Sequence, residues 1–484
     1  MGNTTDGFMK KHKNIDFSRE AERDIEKIDP AKNPDRRVFL KYVGAGAAGL
    51  IVGAIGGFFA APPRTVEKIV EVEKGERPVV KQPVPTTPIK LGNVNAFTGP
   101  AAVLGESDTL ALRYLVKDIN DKGGILGRKI TMTEREQGAK TDECVKEIRK
   151  LAIEEKVDLS IGTIGSGMAV ATAPVANELG LLMFYPANRT SALLEALKAK
   201  GSTTFRTCRW DAGEILGAAW AVDKLWPDTK KFAYIQPDYA YGRDIHLGTT
   251  TYWKKYLSGF QVVYEGWPPL YSTDFTPHIT AVIASKPDVL YTSLWGGDWV
   301  TFVKQAKAYG LFEKMHVVSG AGQESFHGPG RDAPEGVLAG VRYWWLYPPH
   351  DQWDVGKEFV KGYYAMHTKY PYYTGEAAYT AFIAYKNAVE YLYATKGKWP
   401  DTADIVKTIE GMWIAAPGGW VQLRKDHELL ASDVWGMTKY STKIAGKYAG
   451  AGTDFPILEP TFVSGAEEIT PPVGTPFVDW IKSW

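Results

Sequence analysis

Hydrophobic and polar positions follow a repeating strand–helix order along most of the chain. From Ile89 onward, short runs rich in Val, Ile, Leu and Phe alternate with longer segments whose apolar residues recur at helical spacing. One series ends near Tyr185, and a second begins after Cys208. The predicted strands are 89–97, 129–133, 157–164, 181–185, 231–236, 260–265, 288–295 and 315–319, and the predicted helices are 110–120, 142–155, 168–179, 212–225, 242–257, 275–285 and 298–310.

This order predicts an α/β fold with two doubly wound, Rossmann-like lobes. Alternating strands and helices form parallel sheets that are covered by helices on both faces. Two separate series predict two such lobes. Folds of this kind hold small molecules in a cleft at the carboxyl ends of their strands, so the pattern also predicts where a ligand would bind.

The first 88 residues have a different pattern, which is typical of an exported protein. Arg36 and Arg37 precede an aromatic residue, Leu and Lys, and this order resembles a twin-arginine export signal. Residues 42–61 carry no charge and, at roughly 20 residues, are long enough to span a bilayer. The positive residues before them predict an inside amino terminus and an extracytoplasmic remainder. We therefore predict a cytoplasmic tail over 1–41, an export signal or transmembrane anchor, favoured as uncleaved, over 42–61, and a proline-rich stalk over 62–88.

Composition excludes several classes of function. The 57 basic and 56 acidic residues give a net charge of +1, so the chain lacks the excess of positive charge that is typical of nucleic-acid-binding proteins. The two cysteines, Cys144 and Cys208, exclude a disulfide scaffold and a four-cysteine zinc site. The eight histidines are scattered, and neither a GxSxG motif nor a P-loop occurs. We expect no metal, no cofactor and no enzymatic activity.

Several short blocks occur in an order that carries a family resemblance. The blocks are Ile89–Gly92, Thr98–Ala102, Asp118–Asn120, Gly123–Ile130, Ala173–Ala176, Tyr241–Asp244, Thr273–Phe275, Lys286–Val289 and Lys304–Ala306. Together they resemble type I periplasmic solute-binding proteins. Within that fold, the chain is most similar to the Leu/Ile/Val-binding-protein-like branch, which binds branched-chain amino acids or amides and serves ABC importers. The resemblance runs from about residue 89 to at least 440.

The resemblance implies a hinge made of three chain crossings, near 206–208, 340–343 and 432–437. It places 89–207 and 342–434 in lobe 1, and 208–341 and 435–484 in lobe 2. Closure of such a hinge would trap a small solute for an ABC permease. The alternative is a ligand sensor that acts through a separate signalling partner.

The segment Gly165–Met168 follows a predicted strand and opens a predicted helix. Free backbone N–H groups and the positive end of the helix dipole favour an anion at such a position. The resemblance implies that Ser166 and Gly167 bind the carboxylate of the ligand. Alternatively, Ser166 caps the helix, and the two roles can coexist.

A second ligand-contacting loop is implied at Ala187, Asn188 and Arg189. The family usually has small residues and a threonine here, so Arg189 is a departure that puts specificity for α-amino acids in doubt. Arg189 could make a two-pronged bond to a carboxylate, or it could point to solvent.

The resemblance also places Leu104, Tyr241, Trp295, Asp298 and Glu324 at the ligand. Leu104 would give an apolar contact, and the two aromatic residues would wall the pocket. Asp298 could pair with a ligand ammonium or could cap its helix. Glu324 falls near the family's acidic ammonium-binding position.

Two aromatic clusters, 343–347 and 370–373, could form part of a large ligand pocket or could serve in packing. Large aromatic residues commonly fill space beneath loops and at hinges. We therefore predict that these two clusters serve mainly in packing.

Overall fold

The computed structural model describes residues 81–320 and 326–483. Arg36, Arg37, the predicted anchor at 42–61, nearly all of the predicted stalk and Glu324 lie outside these ranges. Across the described ranges, no helix combines the length and the apolar character needed to cross a membrane.

The described elements alternate as the hydrophobic pattern predicts. The strands are β1 Ile89–Asn95, β2 Ile130–Glu136, β3 Leu159–Gly162, β4 Met183–Tyr185, β5 Thr204–Arg206, β6 Lys231–Ile235, β7 Gln261–Gly266, β8 Val289–Thr292, β9 His316–Ser319, β10 Val337–Val341, β11 Met412–Ala416, β12 Gly419–Leu423, β13 Leu429–Leu430, β14 Asp433–Lys439 and β15 Ile457–Ser464. The helices are α1 Ala102–Asp121, α2 Thr141–Arg149, α3 Ser166–Leu179, α4 Leu194–Leu197, α5 Asp211–Leu225, α6 Ala240–Tyr256, α7 Thr276–Ser285, α8 Gly296–Ala308, α9 Asp354–His367, α10 Tyr373–Lys396, α11 Thr402–Ile409, α12 Thr442–Ala445 and α13 Phe477–Ser483.

The first sheet is parallel, in the strand order β2-β1-β3-β4-β5. Strand β1 lies between β2 and β3, and its Leu91 pairs with Met132 on one side and with Leu159 on the other. One face packs against α1 and α10, and against a small antiparallel sheet of β11, β12 and β13. The other face packs against α2 and α3 through a separate apolar core that contains Cys144 and Ala173. Helices therefore cover both faces, as in a doubly wound fold.

The second sheet has the strand order β15-β14-β10-β9-β8-β6-β7. Strands β6 to β10 run parallel to one another, whereas β14 pairs antiparallel with both β10 and β15. Its core includes residues of α5, α6 and α8. One parallel sheet and one mixed, mainly parallel sheet, each packed against helices, confirm the predicted α/β class.

A close approach between α5 and β14 sets the position of α5 at the edge of the cleft. A Cβ atom added at Gly217 of α5 would lie 2.1 Å from the Trp435 side chain, and one added at Gly340 of β10 would lie 2.0 Å from it. Since real Cβ atoms do not approach so closely, only glycine allows the Trp435 indole to fit there. This contact fixes the position of α5, whose first turn contains Glu214.

Some element bounds differ from the predicted ones. Helix α1 begins at Ala102, whereas the apolar spacing predicted a start at 110. Its first turns bury the polar residues Ser107, Asp108 and Thr109, which carry no hydrophobic signal. Both cysteines are free and buried.

Candidate functional site

A cleft of about 290 Å³, counting its open mouth, lies between the ends of the two sheets. Its lining residues are Leu104, Ile164, Gly165, Ser166, Ala187, Arg189, Tyr239, Tyr241, Trp295 and Tyr373. The cleft thus brings together six of the predicted residues, which are Leu104, Ser166, Ala187, Arg189, Tyr241 and Trp295.

The start of helix α3 faces the cleft from the first sheet. Gly165, at a φ of +95°, occupies the N-cap position, and Ser166 is the first helical residue. Ser166 is 3% exposed, and no described residue forms a hydrogen bond with its hydroxyl group. The prediction that Ser166 caps the helix is therefore wrong, because glycine holds the cap position. The hydroxyl group remains available to a ligand in the cleft.

Two buried amides hold this loop in place. The Asn188 Nδ2 atom donates to the Gly165 carbonyl over 2.7 Å. The Gln137 side chain brackets Ile164, since it donates to the Ile164 carbonyl over 2.9 Å and accepts from its N–H over 2.8 Å. Asn188 and Gly167 are absent from the cleft lining, so the structure places them beside the cleft rather than in its wall.

Arg189 lies buried at the cleft. Its Nη1 atom donates to the Glu214 carboxylate over 3.0 Å and to the Gly320 carbonyl over 3.1 Å. Its guanidinium carbon lies 4.4 Å from the centre of the Tyr373 ring, which is a cation–π distance. The alternative in which Arg189 points to solvent is therefore wrong.

Glu214 connects several groups that the sequence did not single out. Its Oε2 atom accepts from Tyr241 over 2.6 Å as well as from Arg189, and its Oε1 atom accepts from Ser293 over 2.8 Å. Arg209 lies 3.8 Å from the same carboxylate and donates to Asp433 over 2.6 Å. A buried carboxylate needs such partners, because desolvation penalises an isolated charge.

Aromatic side chains form the wall on the second-sheet side. The Trp295 Nε1 atom donates to the Tyr239 hydroxyl over 2.9 Å, and the Tyr239 and Tyr241 rings lie 5.9 Å apart. Burial raises the pKa of both tyrosines well above the ordinary value, so both stay protonated at neutral pH. Since Trp295 fills an acceptor position on Tyr239, the Tyr239 proton is directed elsewhere.

Asp298 lies outside the lining of the cleft. Its carboxylate accepts from the Tyr271 N–H over 2.9 Å, and burial raises its pKa to about 6. Trp295 holds the N-cap position of helix α8, so the prediction that Asp298 caps this helix is wrong. Its carboxylate instead ties down the loop before α7.

Three lining residues were not singled out, namely Ile164, Tyr239 and Tyr373, whereas Gly165 belongs to the predicted loop 165–168. Tyr373 belongs to a cluster that was assigned to packing, and part of that cluster does pack, since Trp345 stacks on Tyr370 at 4.0 Å. Tyr373 differs because it begins helix α10, which points its ring at the cleft. For these missed residues, a position at the end of a strand or at the start of a helix was the sequence signal that could have indicated a place at the cleft. In the part of the chain that the structure describes, no group of His, Cys, Asp or Glu could hold a metal ion.

A family model described as periplasmic binding protein matches residues 88–439 of this chain. The chain belongs to the periplasmic binding protein family. This periplasmic binding protein is 28% identical over 243 residues to the Leu/Ile/Val-binding protein homolog 7 of Brucella suis. The match covers 48% of this chain and 58% of that relative, so the chain spans little more than half the length of the first curated relatives.

Solved structures of solute-binding proteins share the fold. A solute-binding protein of an ABC transporter from Rhodopseudomonas palustris, in complex with 3,4-dihydroxybenzoic acid, has a TM-score of 0.67 at 21% identity and is matched over 78% of this chain and 98% of that chain. A leucine-, isoleucine-, valine-, threonine- and alanine-binding protein from Brucella ovis has a TM-score of 0.66 at 20% identity, over 80% and 97%. These likenesses establish the type I periplasmic binding fold.

Proposed function

We propose that this periplasmic binding protein captures a small carboxylate-bearing solute outside the cytoplasm and delivers it to an ABC permease. The observation that carries the proposal is the chemistry of the cleft. A helix start with the buried Ser166 hydroxyl, which bonds to no residue that the structure describes, lies on one side, and an aromatic wall lies on the other. Family membership supports a binding role rather than catalysis.

The solute's carboxylate would lie at the start of helix α3. Ser166 would donate its hydroxyl proton, and the N–H groups of Ser166 and Gly167 would donate along the helix axis. Arg189 lines the same cleft, so its guanidinium group adds a positive charge beside the start of α3. Both lines of support favour an anionic group here.

The remainder of the solute would lie against Leu104, Ala187, Tyr241 and Trp295, which are all lining residues. The solutes of the structural relatives fit this division, because 3,4-dihydroxybenzoic acid and the amino acids leucine, isoleucine and valine each join a carboxylate to an apolar group. We propose no role in ligand contact for Asp298, since its carboxylate is bonded to Tyr271 outside the lining.

Capture would proceed by closure of two lobes about a hinge of three crossings, with lobe 1 at 89–207 and 342–434 and lobe 2 at 208–341 and 435–484. The sheet memberships support these boundaries. Strand β5 ends at Arg206 in the first sheet, whereas β10 ends at Val341 in the second. Because the ligand would contact both sides, it would stabilise the closed state through contacts that the open state lacks.

A thermal-shift screen of the full chain tests the proposal. The panel contains amino acids, amides, short carboxylates and aromatic acids. A ligand that binds only the native state stabilises it by about 2.7 kcal/mol at 100 times Kd, which raises the melting temperature by several degrees. A saturable hit that Ser166→Ala weakens would support the proposal. Silence across the panel from a well-folded sample would contradict it.

Location is part of the proposal. Export by the twin-arginine-like motif at Arg36 and Arg37, with an uncleaved anchor at 42–61, would hold the binding domain at the outer face of the membrane. Replacing both arginines by lysine should leave the chain in the cytoplasmic fraction. Sequencing the amino terminus of the exported protein distinguishes an anchor from a cleaved signal, because a cleaved chain would begin beyond residue 41.

A further inference from the structure

Two carboxylates on the second-sheet side of the molecule bond to one loop of the first-sheet side. That loop follows β4 and contains Arg189, a lining residue whose guanidinium bonds to Glu214. The Thr190 Oγ1 atom donates to the Asp244 Oδ2 atom over 2.6 Å, and the Ser191 N–H donates to the same oxygen over 3.2 Å. Since Asp244 lies in α6, after β6 of the second sheet, these bonds join the two sides of the cleft.

Asp211 is the second of these carboxylates. It begins α5, is 1% exposed, and accepts at Oδ2 from the Ser191 hydroxyl over 2.6 Å. The Ser191 N–H lies 3.2 Å from that oxygen as well as from the Asp244 oxygen, so the same donor serves both groups. Two carboxylates that share a site cannot easily both be ionised, and such a pair favours holding a proton between its members.

Burial and the charges nearby set the protonation of this pair. Burial, together with the charge of Asp244, raises the pKa of Asp211 to about 7, and burial also raises the pKa of Asp244. The Arg206 guanidinium on β5 opposes both increases, whereas Glu428 adds to the increase at Asp211. Because the increases outweigh the opposing charge, the pair retains a proton near neutral pH.

The other charged groups beside the pair are bonded within one side of the molecule. Arg206 donates to Glu428 over 2.9 Å, and β5 and the segment before β13 both belong to the first-sheet side. Burial raises the pKa of Glu428 to about 7, but a movement between the two sides leaves its partner in place. Arg243, next to Asp244 in sequence, is exposed and bonds to Asp238 over 3.0 Å.

We propose that Asp244 and Asp211 are positioning residues that couple capture of the solute to the uptake of a proton. This inference rests on the proposed function, in which closure of the two sides traps the solute. In the closed arrangement, both carboxyl groups are held against Thr190 and Ser191, which fixes the loop of Arg189 at the cleft. Opening removes these donors and returns the two carboxyl groups to water.

The direction of the pH effect follows from burial. A carboxyl group that is buried in the closed state and hydrated in the open state binds its proton more tightly when closed, so closure takes a proton from solvent and opening releases it. This advantage of the closed state is fully present below the ordinary carboxyl pKa of 3.8 and is lost as the pH rises toward the pKa of Asp211, about 7. For a single coupled proton, the closed-to-open ratio changes by at most about tenfold per pH unit.

The distance between two spin labels, measured in the solute-free full chain, tests the proposal. The Lys117→Cys and Lys304→Cys substitutions put one label on α1 and one on α8, at exposed positions on the two sides. Cys144 and Cys208 are buried, so labelling is directed to the introduced positions. We expect the ratio of the short-distance to the long-distance population to fall by at least about tenfold between about pH 5.5 and about pH 8. A ratio that does not change with pH would overturn the proposal.

The Asp244→Asn and Asp211→Asn variants separate the proton from the hydrogen bonds. An amide oxygen still accepts from Thr190 or Ser191 but does not ionise, so each variant should remain closed at both pH values. Glu428→Gln is the matched control, because Glu428 is also buried with a pKa raised to about 7, yet bonds within the first-sheet side. The control should keep the pH dependence of the unchanged chain. Whichever Asp variant melts cooperatively decides, and full pH dependence in it would overturn the proposal.

The outcome for the hinge can be told apart from the outcome for the solute. A saturable carboxylate hit in the thermal-shift screen, together with closure that is independent of pH, would overturn this inference alone. Closure that depends on pH and loses that dependence in Asp244→Asn, together with a silent screen, would contradict the proposed function and leave proton-linked closure in place.

Discussion

The two sides of the cleft differ in the chemistry that they present. The first-sheet side contributes a helix start, the Ser166 hydroxyl and the Arg189 guanidinium, whereas the second-sheet side contributes the rings of Tyr239, Tyr241 and Trp295. Polar donors orient the charged group of a ligand, and aromatic faces select for the shape of the rest of the ligand. The difference teaches that neither side is a complete site, so recognition requires both.

Glu214 links the two sides, and its removal should have the largest effect. Glu214→Gln leaves Arg189 and Arg209 buried without that carboxylate, and loss of one partner of a buried pair costs about 3–5 kcal/mol. Urea unfolding measures this loss of stability. The matched control is Asp238→Asn, which breaks an exposed pair with Arg243 and should cost at most about 1 kcal/mol. Equal losses in the two variants would show that Glu214 does not link the sides.

Ser166→Ala tests the polar side alone. A hydrogen bond to a charged group contributes about 1.5–3 kcal/mol, so the affinity for a carboxylate ligand should fall by roughly 10- to 150-fold. Stability should change little, because no described residue bonds this hydroxyl. Ser285→Ala, at the end of helix α7 and away from the cleft lining, is the control and should leave affinity unchanged. Unaltered affinity in Ser166→Ala would remove the start of α3 from the site.

Trp295→Ala tests the aromatic side. Loss of packing against the ligand should weaken binding by roughly 1–3 kcal/mol, measured by calorimetric titration. Trp420→Ala removes the same side chain from the exposed face of the small antiparallel sheet, where it is 54% exposed, and should leave affinity unchanged. The same affinity in both variants would contradict the placement of the ligand against Trp295.

Asp108 gives a smaller effect that depends on pH. This residue of α1 is buried one turn beyond Leu104, and burial raises the pKa of its carboxyl group to about 7. The unfolded chain, with a pKa near 3.8, releases this proton more readily. The contribution of Asp108 to stability is therefore fully present below about pH 4 and is lost as the pH rises toward 7.

Asp108→Asn should remove this pH dependence. The amide cannot ionise, so the variant should gain stability relative to the unchanged protein between pH 4 and pH 8. Thermal unfolding across that range measures the difference. Asp118→Asn, which removes a partly exposed carboxylate paired with Lys122, serves as the control. A stability difference that stays constant with pH would show that Asp108 is ionised in the folded protein.

The hydrophobic pattern was sufficient for most of the fold and for part of the cleft. Buried strands such as β8 are short, mostly apolar runs, and the helices between the strands have regular apolar spacing, so both could be located. The start of α1 could not, because its buried side chains are polar and find their partners in other elements. An example is the Ser107 hydroxyl, which accepts from the Tyr372 N–H, 265 residues away in sequence.

The same reason explains the site residues that were missed. Ser166, Arg189 and Tyr241 follow strands or open helices, so their positions at the cleft were readable from local order. Glu214 lies within the first turn of α5, and its importance comes from partners on four different segments. Only the folded chain brings those partners together. Tyr373 differs from Glu214 in this respect, because its position at the start of α10 was a local signal.

The pairing of each guanidinium near the cleft has a consequence for the kinetics of capture. Arg189 is matched by Glu214, Arg209 by Asp433 and Arg206 by Glu428, so the buried charges cancel in pairs and project little field into solution. An approaching anion would be guided by short-range contacts rather than by long-range attraction. The association rate constant for the solute should therefore be similar at high and at low ionic strength.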